Sequence, residues 1–250
     1  MADIHVDLLG SCPANNTCLQ SCSTFTSSLG GRLIGLDSAP TEQAAWLDLT
    51  LFKTMGDYLK ACRQVSKGGI HADMRLAREA GYTFSEFSKQ NYIEDIHEIH
   101  TSSPERQGKP MRDAYLIPVE EMGGAPKGWN PLPYNPCDEH WVRFYGAFES
   151  APGRKLGGVE VGYRLRAYIA MKRIGSLGIY SMIIGHGDHL RSGVMGGLHG
   201  WIISRAKDPD IWTEFRGLDG VMYAGYFQGQ QGLIHWKRKA LFGAVDLYTP

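Results

Sequence analysis

The stretch from Tyr163 to Ala206, YRLRAYIAMKRIGSLGIYSMIIGHGDHLRSGVMGGLHGWIISRA, decides the fold. It opens in strict alternation: Tyr163, Leu165, Ala167, Ile169 and Met171 fall on one face, Arg164, Arg166, Tyr168, Ala170 and Lys172 on the other. A period of two marks a strand. Ile174-Gly175-Ser176 reads as a tight turn and Leu177 to Ile184 as a second, buried strand. The polar segment Gly185 to Gly193 follows, then a helix with Val194, Leu198, Trp201 and Ile202 on one stripe. Such a Gly-rich loop between strand and helix offers backbone N–H groups to an anionic or carbonyl oxygen. The active site is expected there.

Downstream, Gly220 to Gly225 reads as another buried strand, Gln231 to Leu241 as a basic helix, and Val245 to Tyr248 as a last strand. Upstream, Trp141 to Phe148 alternates as a strand. Met111 to Asn135, broken by Pro118, Pro126, Pro131 and Pro133, is an irregular excursion of the kind that serves as a lid or substrate loop. Asn91 and Glu94 suggest a capping box, starting a helix with Ile93, Ile96 and Ile99 inward and Glu94, His97, Glu98 and Thr101 opposite. Tyr82 to Phe87 reads as a short strand. Two helices precede it: Phe52, Met55, Leu59 and Cys62 recur behind Thr50 as N-cap, and Ile70 to Ala80 runs up to Gly81. Ile4, Val6 and Leu8 alternate at the start. Residues 1–50 are therefore expected as an N-terminal arm with the first strands and 51–250 as the main body, one continuous domain overall.

The 250 residues suffice for a sizeable core, and 43% hydrophobic with 21% charged residues is ordinary for a soluble globular protein. Lys+Arg and Asp+Glu both number 26, so no global field recruits nucleic acid or an anionic membrane. No apolar run is long enough to span a bilayer, and the first residues lack a signal-peptide pattern. Five cysteines, an odd number in a long chain, argue against a disulfide framework and for a cytoplasmic protein with reduced thiols. Cys12, Cys18 and Cys22, with His5 nearby, match no C-x-x-C spacing and read as small residues in a loop. His97 and His100 do not have the H-E-x-x-H spacing. No metal is expected.

These elements resemble the second half of the Gcn5-related N-acetyltransferase (GNAT) superfamily. Trp236-Lys-Arg-Lys-Ala-Leu-Phe242 is similar to the Tyr-Lys-x-Lys-x-Gly-Phe ending of its FemX-like branch. His71-Ala-Asp-Met-Arg-Leu-Ala-Arg-Glu-Ala-Gly81 is similar to that branch's Arg-x-x-x-Arg-x-Ala-x-x-x-Gly segment, and Ile96 to Gly108 looks like bacterial members of the group. The resemblance implies a mixed α/β (α+β) fold: a GNAT-like, mostly antiparallel twisted sheet flanked by helices on both faces. It implies an N-acyltransferase moving an acyl or aminoacyl group from acyl-CoA or aminoacyl-tRNA to the amine of an amino acid or small molecule. A tRNA partner follows for the second donor, and the oligomeric state stays open, a homodimer included. The superfamily's Arg/Gln-x-x-Gly-x-Gly/Ala phosphate loop is matched by Arg191-Ser192-Gly193-Val194-Met195-Gly196, with the first Gly one place early.

Acyl transfer to an amine needs a base of pKa near neutrality, N–H donors for the oxyanion, and a proton for the leaving group. His186 and His189 are the candidate bases, Asp188 the residue to orient one of them, Tyr223 the acid, and Glu98 the reserve base. Arg191, Ser192, Gly193 and Gly196 are expected at the carrier's phosphates. Arg106, Gln107, His97 and Tyr226 are expected at the substrate, since an Arg fork suits a carboxylate. Two other readings stay open: a metal-dependent enzyme using these His, Asp and Glu residues, and a non-catalytic binding module on the same scaffold.

Overall fold

The computed structural model describes residues 2–12, 18–20, 33–35, 41–106, 109–135 and 137–248. In chain order the strands are β1 (Ala2–His5), β2 (Ile34–Gly35), β3 (Ala44–Asp48), β4 (Thr83–Glu86), β5 (Glu105–Arg106), β6 (Lys109–Pro110) and β7 (His140–Ser150). They continue with β8 (Lys155–Leu156), β9 (Val159–Glu160), β10 (Tyr163–Ile174), β11 (Leu177–Gly185), β12 (Gly220–Gly225) and β13 (Gly243–Tyr248). The helices described over their full length are α1 (Met55–Val65), α2 (Gly69–Glu79), α3 (Ile93–Thr101), α4 (Val194–Ala206) and α5 (Gln231–Lys239).

The expected hairpin is the spine of one mixed sheet. β10 and β11 pair antiparallel from Ile174↔Leu177 to Ala167↔Gly185, with one bulge after Ala170. Eight strands lie in the order β1-β13-β3-β12-β11-β10-β7-β4, and β2 also pairs with β13. Most neighbours are antiparallel, while β1 and β2 on β13, and β11 on β12, are parallel. The last of these pairs is short. Only Leu177, Gly178 and Ile179 match Gly220, Val221 and Met222, and Tyr180 to Gly185 continue along β10. The sheet thus opens between the two strands before β11 ends.

Alternation puts a different core on each face. Ala45, Leu47, Ile169, Met171, Tyr180 and Val221 meet Tyr58 of α1, Ile70 of α2 and Leu198, Ile202 and Ile203 of α4. On the other face, Phe148, Tyr168 and Ile184 meet Ile96 and Ile99 of α3. The rest of that face, Trp46, Ile179, Met222 and Leu247, is covered by Val6 and Leu33, with Ile4 and Leu8 packed against it. Burying each such aliphatic side chain contributes about 1.5–3 kcal/mol, so the arm is part of the core.

The arm is tied to the hairpin tip. The Ser176 N–H donates to Asp7 O at 2.8 Å, and a Cβ on Gly175 (φ 58°) would sit 2.1 Å from that same oxygen. Only glycine accepts both that dihedral and that approach.

Three local expectations shift. The N-cap of α1 is Thr54, in a reciprocal capping box with Asp57, whereas Thr50 spends its N–H and hydroxyl on Asp48. Asn91 forms no capping box. Its amide donates to Asn130 O and accepts from the Asn130 N–H, both at 2.8 Å, fastening the excursion to the start of α3. The excursion itself holds a single 3-10 turn, Asp113–Tyr115. No helix among the described residues is long and apolar enough to cross a membrane.

Candidate metal centre and the polar loop after the hairpin

Cys12 and Cys18 lie on the arm, and Cys137-Asp138-Glu139-His140 leads into β7. Folding brings the four ligand-bearing residues together, with Sγ and ring-nitrogen atoms all within 4.8 Å of one another. Cys12 Sγ is 3.1 Å from Cys18 Sγ and 3.3 Å from Cys137 Sγ, and Cys137 Sγ is 3.4 Å from His140 Nδ1. A disulfide takes ~2.05 Å, so these are contacts between separate sulfurs. Tetrahedral ligands ~2.3 Å from zinc lie roughly 3.8 Å apart, which these separations approach.

The surroundings fix the ligands as metal sites require. His140 Nε2–H donates to Leu8 O at 2.9 Å, which leaves the Nδ1 lone pair facing the thiols. The Glu139 N–H points at Cys137 Sγ at 3.4 Å. Asp138 O accepts from Trp141 Nε1 at 2.8 Å and from the buried Arg173 guanidinium at 3.2 Å, and Glu139 O accepts from Gly175 N–H at 2.9 Å. Ser11 Oγ donates to Glu139 Oε1 at 2.7 Å. Cys18 and His140 are buried, Cys12 and Cys137 half-buried. Burial, then the neighbouring Cys12 and Cys137, pushes the Cys18 thiol up to about 12. A cation among three sulfurs reverses that cost, because a coordinated thiol loses its proton.

The absence of metal expected from sequence is thereby corrected: a Cys3His set is assembled. His5 takes no part in it, being paired in β1 with its ring on Tyr248, and Cys22 lies outside the described residues. The overlooked signal was Cys137-x-x-His140, a ligand pair of ordinary spacing 125 positions from Cys12.

The residues expected at the polar loop divide into groups. His186 caps the 3-10 turn Gly187–Ser192: its Nδ1 accepts from Asp188 N–H at 3.3 Å, and its Nε2 lies 3.6 Å from Glu98 Oε1. Glu98 is held in turn by Arg166 at 2.9 Å and Arg164 at 3.1 Å, so guanidinium donors occupy both of its oxygens. The Asp188 side chain is 88% exposed and 4.0 Å from His186. His189 is half-buried, and its Nδ1 shares a very short hydrogen bond with Tyr82 Oη. Burial, then the Arg166 charge, lowers its pKa, so the ring is neutral near pH 7.

The head of α4 is already filled. A Cβ on Gly196 would lie 2.0 Å from Asp73 Oδ2, and one on Gly193 2.6 Å from Asp73 O, while Lys239 Nζ binds Asp73 Oδ1 at 2.7 Å. A carboxylate from α2 therefore stands where the phosphate reading of Gly193 and Gly196 places a carrier. Arg191 is exposed, and Ser192 Oγ donates to His189 O at 2.5 Å.

Tyr223 packs against Trp236 and Phe242, and burial pushes its hydroxyl up to about 12. Tyr226 Oη accepts from Arg238 Nε at 3.3 Å, so both tyrosines engage α5 and its flank. His97 lies half-buried on α3, Arg106 is in β5, and Gln107 is outside the described residues. A shallow depression of about 370 Å³, lined by Leu51, Lys53, Asp57, Lys60 and Gln64, lies on α1. Comparison with protein-family models and with curated proteins finds no match for this chain.

Proposed function

We propose that this protein binds one zinc ion through Cys12, Cys18, Cys137 and His140, and that the ion fastens the N-terminal arm to the sheet. The reading is carried by one observation: four ligand atoms within 4.8 Å, the imidazole aimed by a bond to Leu8 O. Three thiolates favour zinc or another soft ion over magnesium or calcium. Four protein ligands form a closed site, which suits a structural ion better than a catalytic one with a place for water. Two ligands on the arm and two at the start of β7 make the ion a staple.

Metal analysis of protein purified under reducing conditions tests this. The expected result is one zinc per chain, and on cobalt replacement the visible absorption of a tetrahedral thiolate site. Cys137→Ser and His140→Ala each lower the affinity by at least about 10-fold. Protein with intact thiols that holds no metal and takes up no cobalt refutes the reading.

A second reading, transfer of an acyl group to a small amine, is supported by the opening between β11 and β12 and by the GNAT-like, FemX-like pattern of elements. Ligands in open α/β sheets favour such strand ends. With Asp73 at the head of α4, this reading does without a pyrophosphate carrier there. Incubation with acyl esters and thioesters and a panel of amino acids, with amide product sought by mass spectrometry, tests it.

A further inference from the structure

The two halves of the proposed metal centre also meet through contacts that need no ion. Asp7 Oδ1 accepts from the Leu9 and Gly10 N–H groups, both at 2.9 Å, and Cys12 N–H donates to Leu9 O at 3.3 Å. The arm therefore makes a tight turn just ahead of its first sulfur. That turn sits on the Glu139 side chain: there is no room for a Cβ on Gly10 beside Glu139 Oε2, and Ser11 Oγ donates to Glu139 Oε1 at 2.7 Å. His140 Nε2–H binds Leu8 O at 2.9 Å, and Gly175 N–H binds Glu139 O at 2.9 Å. Cys12 and Cys137 are thus held from both sides with their sulfurs 3.3 Å apart. Both are half-buried and within reach of a small solute, whereas Cys18, its sulfur 3.1 Å from that of Cys12, is 1% exposed.

We infer that Cys12 and Cys137 are a peroxide-sensitive thiol pair, and that oxidation replaces the ion by a disulfide across the same two segments. The departure of the ion rests on the zinc reading; the pairing of the two sulfurs does not. To bond, the sulfurs close by roughly 1.3 Å, a small shift for two side chains whose backbones are already fastened to each other through Ser11, Glu139, Leu8 and His140. The alternative bond, Cys12 to Cys18, lies within the arm and would leave it unfastened. A bond from Cys12 to Cys137 joins the arm to the start of β7, as the ion does.

With a peroxide as oxidant, the Cys12 thiolate attacks one peroxide oxygen. An S–O bond forms, the O–O bond breaks, and the leaving oxygen departs with its electron pair and takes a proton from water. The Cys137 thiolate then attacks the Cys12 sulfur. The S–S bond forms, the S–O bond breaks, and hydroxide leaves and is protonated by solvent. The sulfurs together give up two electrons, and the peroxide takes them. An ion left with Cys18 and His140 alone has lost half of its ligands and is released. A dithiol reductant reverses the bond by exchange and restores all four.

The test treats reduced, zinc-loaded protein with hydrogen peroxide, alkylates the remaining thiols and maps the bond by mass spectrometry, with zinc release followed by a chromophoric chelator. The expected result is a peptide pair joined through Cys12 and Cys137, loss of two of the five thiols, release of the bound zinc, and return of both thiols with dithiothreitol. Hydrogen exchange at the Val6 and Ser176 amides should be as slow in the oxidised, zinc-free protein as in the zinc-bound one, because the new bond holds the same two segments. Cys18→Ser should form the same bond. A bond from Cys12 to Cys18 or to Cys22, sulfinic acid at Cys12 with no bond, or five intact thiols overturns the inference. The zinc reading fails separately: protein that holds no metal yet forms the Cys12–Cys137 bond refutes the ion and keeps the pair, while protein that holds zinc and never forms that bond keeps the ion and refutes the pair.

Discussion

At the scale of single residues, His199 shows how complete satisfaction differs from readiness to react. It is fully buried in α4 between two tyrosines, with Nε2 2.8 Å from Tyr58 Oη and Nδ1 3.1 Å from Tyr180 Oη. Tyr58 donates onward to Ala240 O at 3.2 Å, so Nε2–H donates to Tyr58 and Tyr180 donates to Nδ1. No nitrogen is left for chemistry. Burial lowers the His199 pKa from 6.5 to about 3. The unfolded chain therefore takes up a proton below about pH 6.5 that the folded chain refuses down to about pH 3, and the stability present above that window is lost as pH falls through it. The expected loss is on the order of 4 kcal/mol by pH 3. Urea unfolding at about pH 7 and about pH 4.5 should show a steeper acid decline in the wild type than in His199→Gln. Equal slopes would place the decline elsewhere.

At the scale of elements, the tip of the β10–β11 hairpin makes the sharpest case. Gly175→Ala puts a side chain on a left-handed residue, at about 1–2 kcal/mol, and drives Cβ into Asp7 O. The expected result is a lower urea midpoint together with weaker metal retention, since Asp7 lies just before the ligand-bearing part of the arm. A change in stability alone would uncouple tip from centre. The hairpin, α4 and the closing strands were legible in sequence because alternation and the apolar stripe are local signals. Capping was less so: Thr50 and Asn91 have the chemistry of caps, but Asp48 and Asn130 claim them through turns that periodicity does not encode. The loop residues His186, Asp188 and His189 were read together, with Glu98 of α3 as a reserve, while the groups that hold them, Tyr82 ahead of β4 and the two arginines of β10, come from elsewhere in the chain. Asp73 at the head of α4 was equally hidden, since a motif read along the chain does not show what packs across it.

At the scale of the whole molecule, the proposed metal centre was illegible for the plainest reason: its two halves are 125 positions apart, and each alone is weak. Its removal should act on the arm first. Treatment with a chelator should raise hydrogen exchange at the Val6 and Ser176 amides, which bond Tyr248 O and Asp7 O, and leave the β7–β10 ladder protected. The thermal midpoint should fall by roughly 5–10 °C. Uniform exchange throughout the sheet would show that the ion supports the entire body instead. The spacing also orders events in time. A ribosome releases Cys12 and Cys18 long before Cys137 and His140 exist, so the staple cannot close until more than half of the chain has been made. Zinc uptake during synthesis would then serve as a clock for late assembly, and a ribosome-stalled chain ending before residue 137 should bind the ion no better than an unstructured thiol peptide.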